Sequence, residues 1–223
     1  MLILAVNFLP FSMSNLFAQL YDLKNIDIEL CRIYNDDQQI RRRLAKAMQK
    51  PSIELISIQN EMDSIDAKDQ IYVSNILDNY GWPDNLSDSA NRAVFLVIDH
   101  GDKCFQKKYF KMVKEKADQG VISKSDAATL EDRILMEAYK PQKYGTQTRL
   151  ANNGTENVIY MWPVEDPEKV DELRISVGLH PINTYIQTVE EMSQMKVIWD
   201  KNLSVSFFKD KSQHKKTKRQ KLK

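Results

Sequence analysis

The sequence predicts a mostly α-helical fold with one small β-hairpin or extended loop pair near residues 145–162. Three observations predict it. Apolar residues recur at spacings of three and four along most of the chain, as one buried helix face requires. Glycine or proline stands where these runs stop or start. The period then changes in "GTQTRL" and "NVIYMWP", two short stretches rich in β-formers that flank the turn signal Asn153-Gly154.

Each element follows from its residues. Leu20, Leu23, Ile26, Leu30 and Ile33, continued by Ile40, Leu44 and Ala47, form one stripe. Pro51 divides it from a second run, Ile53 to Leu77, with a break expected near Asp66. The two runs read as a helical hairpin, closed by "YGWPDN", where Gly81 caps and Pro83 forbids continuation. Ser87 is the expected N-cap of the next helix, which Gly101 breaks. Phe105, Tyr109, Met112 and Val113 begin a new stripe that Gly120 ends. Ser123 or Ser125 caps the following helix, and Pro141 stops it. After the β element, a helix is expected from Asp166 and Pro167 to Gly178, and a last one from Pro181 through Asn202.

Charge is unevenly placed. Residues 209–223 hold eight Lys/Arg against one Asp and show no apolar periodicity, so they read as a disordered basic tail. Residues 19–208 hold 24 Lys/Arg against 30 Asp/Glu, an acidic balance that argues against a specific nucleic-acid partner. Residues 1–18 carry no charge and are largely apolar. They are too short and too interrupted by Asn7, Pro10, Ser12, Ser14 and Asn15 to span a bilayer. They fit a signal peptide cut after Ala18, and hence an exported or periplasmic protein, although the basic leading region of such signals is missing. A buried N-terminal element in a cytoplasmic protein is the alternative. Cys31 and Cys104 lie in no CxxC or CxxH pair and read as two buried thiols.

The order "GWP", "RAVFLVIDHGDKCFQ", "LEDRILMEAYKPQKYGTQ", "WPVEDPEKVDELRISVGLHPINTY" resembles the bacterial proteins grouped as domain of unknown function family 6624. The resemblance covers residues 70 to 186. It implies that residues 19–69 are a helical extension in front of a family-like domain of residues 70–200. It brings no activity and no cofactor. It points to Trp82, His100, Asp102, Gln106, Asp132, Arg133, Gln142, Tyr144, Gly145, Thr146 and Gln147. Two positions depart from the family pattern: Tyr139 stands where a glycine is common, and Leu173 where a second arginine is common.

The candidate chemistry centres on His100. It ends an apolar helix, where the backbone dipole favours imidazolium, and it reads as a general base or a ligand-binding donor, or else as a packed helix cap. Asp132 and Arg133 are adjacent on a helix and point about 100° apart. Arg133 suits an anion, and Asp132 suits either His100 or the backbone of the "YGTQ" turn. In that turn Gly145 supplies a positive φ, and successive backbone amides can hold an oxyanion. Gln142, Tyr144, Thr146 and Gln147 would then line a polar site or plug a helix end. Trp82 reads as a hydrophobic lid or a pocket wall. There is no GxSxG, HExxH, P-loop or GxGxxG, and one plausible histidine among scattered carboxylates makes no metal signature. The reading is a small polar or anionic ligand, with hydrolysis by His100 as its enzymatic form. The alternative is a protein-interaction module whose polar motifs are structural.

Overall fold

The computed structural model describes residues 13–48, 54–152 and 156–208. The signal-like residues 1–12, the Pro51 junction, the Asn153-Gly154 turn and the basic tail lie outside the described residues. The chain divides into two units, Met1–His100 and Gly101–Lys223. The fold is mostly α with a small three-stranded sheet, as the periodicity predicts.

The first unit holds three helices: α1 (Met13–Met48), α2 (Glu54–Tyr80) and α3 (Asp88–His100). Their stripes meet in a core of Leu30, Ile33, Val73, Leu77, Ala93, Val94 and Ile98, all nearly or fully inaccessible. Ile40, Ile58 and Met62 pack together further along the hairpin. α1 runs uninterrupted across the Ala18–Gln19 junction. α2 is continuous through Asp66, where a break was expected. The reason is that Asp66 is not a surface helix-breaker: its carboxylate accepts from Arg41 across the hairpin at 2.8 Å. Gly81, at φ 71, ends α2. Trp82 is buried, and its indole N–H donates to Asn91 Oδ1 at 2.8 Å, which pins the loop onto α3.

The second unit holds α4 (Lys103–Asp118), α5 (Lys124–Glu137), β1 (Thr148–Asn152), β2 (Asn157–Met161), α6 (Val170–Ser176), α7 (Ile182–Ser193) and β3 (Val197–Ile198). The antiparallel hairpin pairs Leu150 with Ile159. The last helix stops at Ser193 rather than reaching Asn202: Gln194 takes a left-handed φ of 54, and Val197–Ile198 join β2 in parallel. The helix after the hairpin starts at Val170, later than Pro167, although Asp166 still accepts from the Lys169 amide. The cysteines depart from expectation too. Both are free, Cys31 is only half-buried and Cys104, in the first turn of α4, is exposed.

α5 ends in a Schellman arrangement. The Lys140 amide donates to Leu135 O and the Tyr139 amide to Met136 O, both at 2.9 Å. This geometry needs a left-handed residue at position 139, where Tyr139 has φ 54. A non-glycine residue there costs about 1–2 kcal/mol, and an aromatic contact returns about 0.5–1.5 kcal/mol. The Tyr139 ring makes that contact, edge-on to Trp162 with centroids 6.0 Å apart. The two effects nearly cancel. In chemical denaturation Tyr139→Gly is therefore expected to lie within about 1 kcal/mol of the wild type, whereas Tyr139→Ile, β-branched and without the ring, is expected to lose more than about 2 kcal/mol.

Candidate functional site

Asp132 is completely inaccessible on α5. Its carboxylate accepts from the Lys143 amide at 2.7 Å, the Tyr144 amide at 3.1 Å, and the Thr146 amide and hydroxyl at 3.0 Å each. The turn after α5 is thus a nest of amides around an anion, and the anion is the protein's own side chain. Burial pushes the Asp132 carboxyl upward, and the same amides oppose that shift. The carbonyl side of the turn is held as closely. Arg174, 1 % exposed, donates to Tyr144 O at 2.7 Å and Gly145 O at 2.9 Å, and the Tyr185 hydroxyl donates to Thr146 O at 2.6 Å. Gly145 sits at φ 65, and a Cβ on it would collide with Ile182 Cδ1.

The neighbouring glutamines complete the network. Gln142 is fully buried; its amide group donates to Trp162 O and Gln147 O and accepts from the Gln147 amide. Gln147 donates to Thr129 O on α5. Beside Tyr144 lies a small hollow of about 80 Å³ lined by Lys114, Lys124, Glu131 and Val177. Asp102 is the N-cap of α4, accepting from the amides of Cys104 and Phe105. Gln106, 1 % exposed, donates to Gly101 O. Arg133 lies half-buried on α5. The structure therefore brings Asp132, Gln142, Tyr144, Thr146 and Gln147 together in the second unit, while Trp82 and His100 belong to the first.

His100 has partners of its own. Its Nδ1 lies 3.1 Å from Asp37 Oδ1, and its side chain keeps 20 % of its accessibility. Arg41 bridges the helices here, with Nε on Asp37 Oδ1 at 2.7 Å and Nη2 on Asp66 Oδ1 at 2.8 Å. The ring's other nitrogen, Nε2, is 4.0 Å from Asp99 Oδ2, beyond hydrogen-bond reach. Burial would raise the Asp37 carboxyl, but His100 and Arg41 outweigh it and hold the group at about 2. One turn along α2 from Asp66, Asp69 is 5 % exposed. Burial pushes its carboxyl up to about 6, with Arg32 and Lys68 pulling it back and Asp36 and Asp66 adding to the rise.

Sequence reasoning missed Asp37, Arg41, Asp66, Asp69, Arg174 and Tyr185. A signal for the carboxylates was present. Asp37 continues the stripe Leu30, Ile33, Ile40, Leu44, and Asp66 and Asp69 continue the stripe Ile58, Met62, Val73, Ile76. A charge in register with a buried stripe needs a partner or a task.

Two stability results are expected. Asp132→Ala leaves three buried amides without an acceptor and should lower unfolding free energy by about 3–5 kcal/mol, read by denaturant titration. Asp69 gives a pH dependence. Its folded value lies above the unfolded one, so its contribution is fully present below the unfolded value and is lost as pH rises through about 6. Asp69→Asn is therefore expected to stabilise the protein at pH 7 by on the order of 2–3 kcal/mol, a gain that disappears by about pH 4. Asp37 acts in the opposite sense, its contribution fading only as pH falls from the ordinary aspartate range through about 2.

Residues 24–198 match a family of unknown function, DUF6624, so α2 and most of α1 fall inside the matched segment. No curated protein and no solved structure matches the chain significantly.

Proposed function

The chain belongs to the family of unknown function DUF6624, and from that premise we propose that its first unit binds a small polar or anionic ligand at His100, the imidazole serving as proton acceptor in hydrolytic chemistry. The observation that carries the reading is the Asp37 carboxylate, 4 % exposed and 3.1 Å from His100 Nδ1. A carboxylate on Nδ1 fixes the neutral tautomer that carries its proton there. The Nε2 lone pair is then left to accept a proton from a ligand or from water. Arg41 donates to the same Asp37 oxygen and holds the carboxylate in place, as the third member of such an arrangement does.

The alternative reading, that the polar motifs are structural, is supported for the second unit. Every oxygen of Asp132 and the whole amide of Gln142 is engaged with the turn or the sheet around it. A turn whose anion-binding amides are already filled has none to offer a ligand.

Export belongs to the same proposal and rests on the uncharged, apolar residues 1–18. Mass spectrometry of protein from the producing cells is expected to find the chain beginning at Gln19; an intact Met1 speaks against export.

The site itself is tested by long-range proton–nitrogen NMR of the imidazoles in chelator-treated protein. His100 is expected to show the Nδ1–H tautomer, with an Nε2 signal that moves when millimolar acetate, phosphate or small esters are added. Asp37→Asn is expected to lose that tautomer and to weaken any responding compound by roughly tenfold. An Nε2 signal that none of these compounds moves sinks the reading.

A further inference from the structure

Building on the reading of His100 as the site of the first unit, we propose that Asp37, Asp66 and His100 hold a divalent transition-metal ion, which takes the place of the Nδ1 proton when it binds, with Asp69 beside it accepting a hydrogen bond from metal-bound water. The donor atoms of the three residues all lie within 4.8 Å of one another, although 63 positions separate Asp37 from His100 in the chain. Around an ion with ligands at about 2.1 Å, neighbouring donors stand about 3 Å apart and opposite ones about 4.2 Å. His100 Nδ1 and Asp37 Oδ1, at 3.1 Å, already have the neighbouring spacing. Asp66 closes the remaining few tenths of an ångström by side-chain rotation. One imidazole with two carboxylates selects the Mn²⁺, Fe²⁺ and Zn²⁺ class over Ca²⁺, which takes oxygen alone, and over copper(I), which takes sulfur.

A pair of carboxylates beside a histidine is not a metal site by itself, and two further observations point to a ligand. Arg41 occupies Oδ1 of Asp37 and Oδ1 of Asp66, and Gln38 Nε2 donates to Asp37 Oδ2 at 2.9 Å. Among the described residues, Asp66 Oδ2 has no hydrogen-bond partner. The second observation is Asp69. It is 5 % exposed, one helical turn from Asp66, near enough for the two carboxylates to repel, and it has no hydrogen bond or ion pair among the described residues. Arg32 and Lys68 attract that carboxylate without a direct ion pair, so its burial stays costly unless further positive charge arrives. Three carboxylates, Asp37, Asp66 and Asp69, stand against the one guanidinium in direct contact with the group, Arg41. A divalent cation balances the excess. Arg41, on Oδ1 of each carboxylate, then positions the two ligands, as partners behind metal ligands do.

The full chain, stripped with chelator, is titrated with Mn²⁺ and with Zn²⁺ by calorimetry and followed by thermal melting. One ion is expected to bind and to raise the melting temperature. Asp66→Asn and His100→Gln, each verified as folded by circular dichroism, are expected to lose affinity by roughly tenfold or more. The Mn²⁺ resonance spectrum is expected to carry nitrogen hyperfine coupling that His100→Gln removes. Asp69→Asn is expected to melt higher than the wild type without metal and to gain less when metal is added. The proposal is overturned if the wild type binds neither ion at millimolar concentration, or if binding survives both ligand variants unchanged, which would place the ion at His180 or the tail. The chelator-treated NMR experiment separates the two readings. If ligands move His100 there but no ion binds, the metal site alone fails; if an ion binds and no ligand moves His100, the metal site stands and the ligand reading fails.

Discussion

The carboxylate of Asp132 is the interaction on which the second unit depends. A helix that ends in the interior leaves carbonyls on one side and needs a turn whose own amides must be satisfied. Asp132 meets the amides of residues 143, 144 and 146 from below, and Arg174 meets the carbonyls of residues 144 and 145 from above. The turn is gripped on both faces by one anion and one cation from different helices. Neither charge touches the other directly; the peptide groups between them carry the coupling. This fixes where the chain leaves α5 and therefore where β1 begins. It also explains the requirement at Gly145, where any side chain would meet Ile182.

The first unit handles buried charge differently. Asp37 is met by both His100 and Arg41, and Asp66 by Arg41, so the three helices are tied by one chain of ionic contacts. Asp69, equally buried and in the same register, is left unmet among the described residues. The contrast is informative because both environments are built from the same residue types. Where a fold satisfies one carboxylate four times over and leaves another costly, stability alone does not explain the second. Sites that work commonly carry such a cost.

Much of this was legible in the sequence, and what escaped did so for physical reasons. The cap at Ser123, the stops at Gly81 and Gly120 and the hairpin near residue 150 are local events, set by residues within one turn of each other. β3 was not legible because Val197–Ile198 is too short to show a period and becomes a strand only by pairing with β2. Asp132 was marked for either His100 or the backbone of the "YGTQ" turn, and its carboxylate takes the second. Pairs such as Asp37 with His100 are set by how helices pack, and stripe analysis treats a charge within a stripe as noise. At Asp37, Asp66 and Asp69 the interruption of the stripe was the message.

The aromatic face of the sheet has a consequence for how much of the chain the second unit needs. Phe208 stacks on Trp162 with centroids 4.6 Å apart, and Val158 and Tyr160 complete the cluster, with Leu203, Val205 and Phe207 packed against it. These last contributors lie past residue 198, where the family match stops. The segment by which kinship is recognised is therefore shorter than the segment that keeps water off the indole. A fragment cut at the boundary of resemblance would carry every motif named above and still present a bare aromatic wall to its neighbours, an invitation to associate through the face that residues 203–208 otherwise cover.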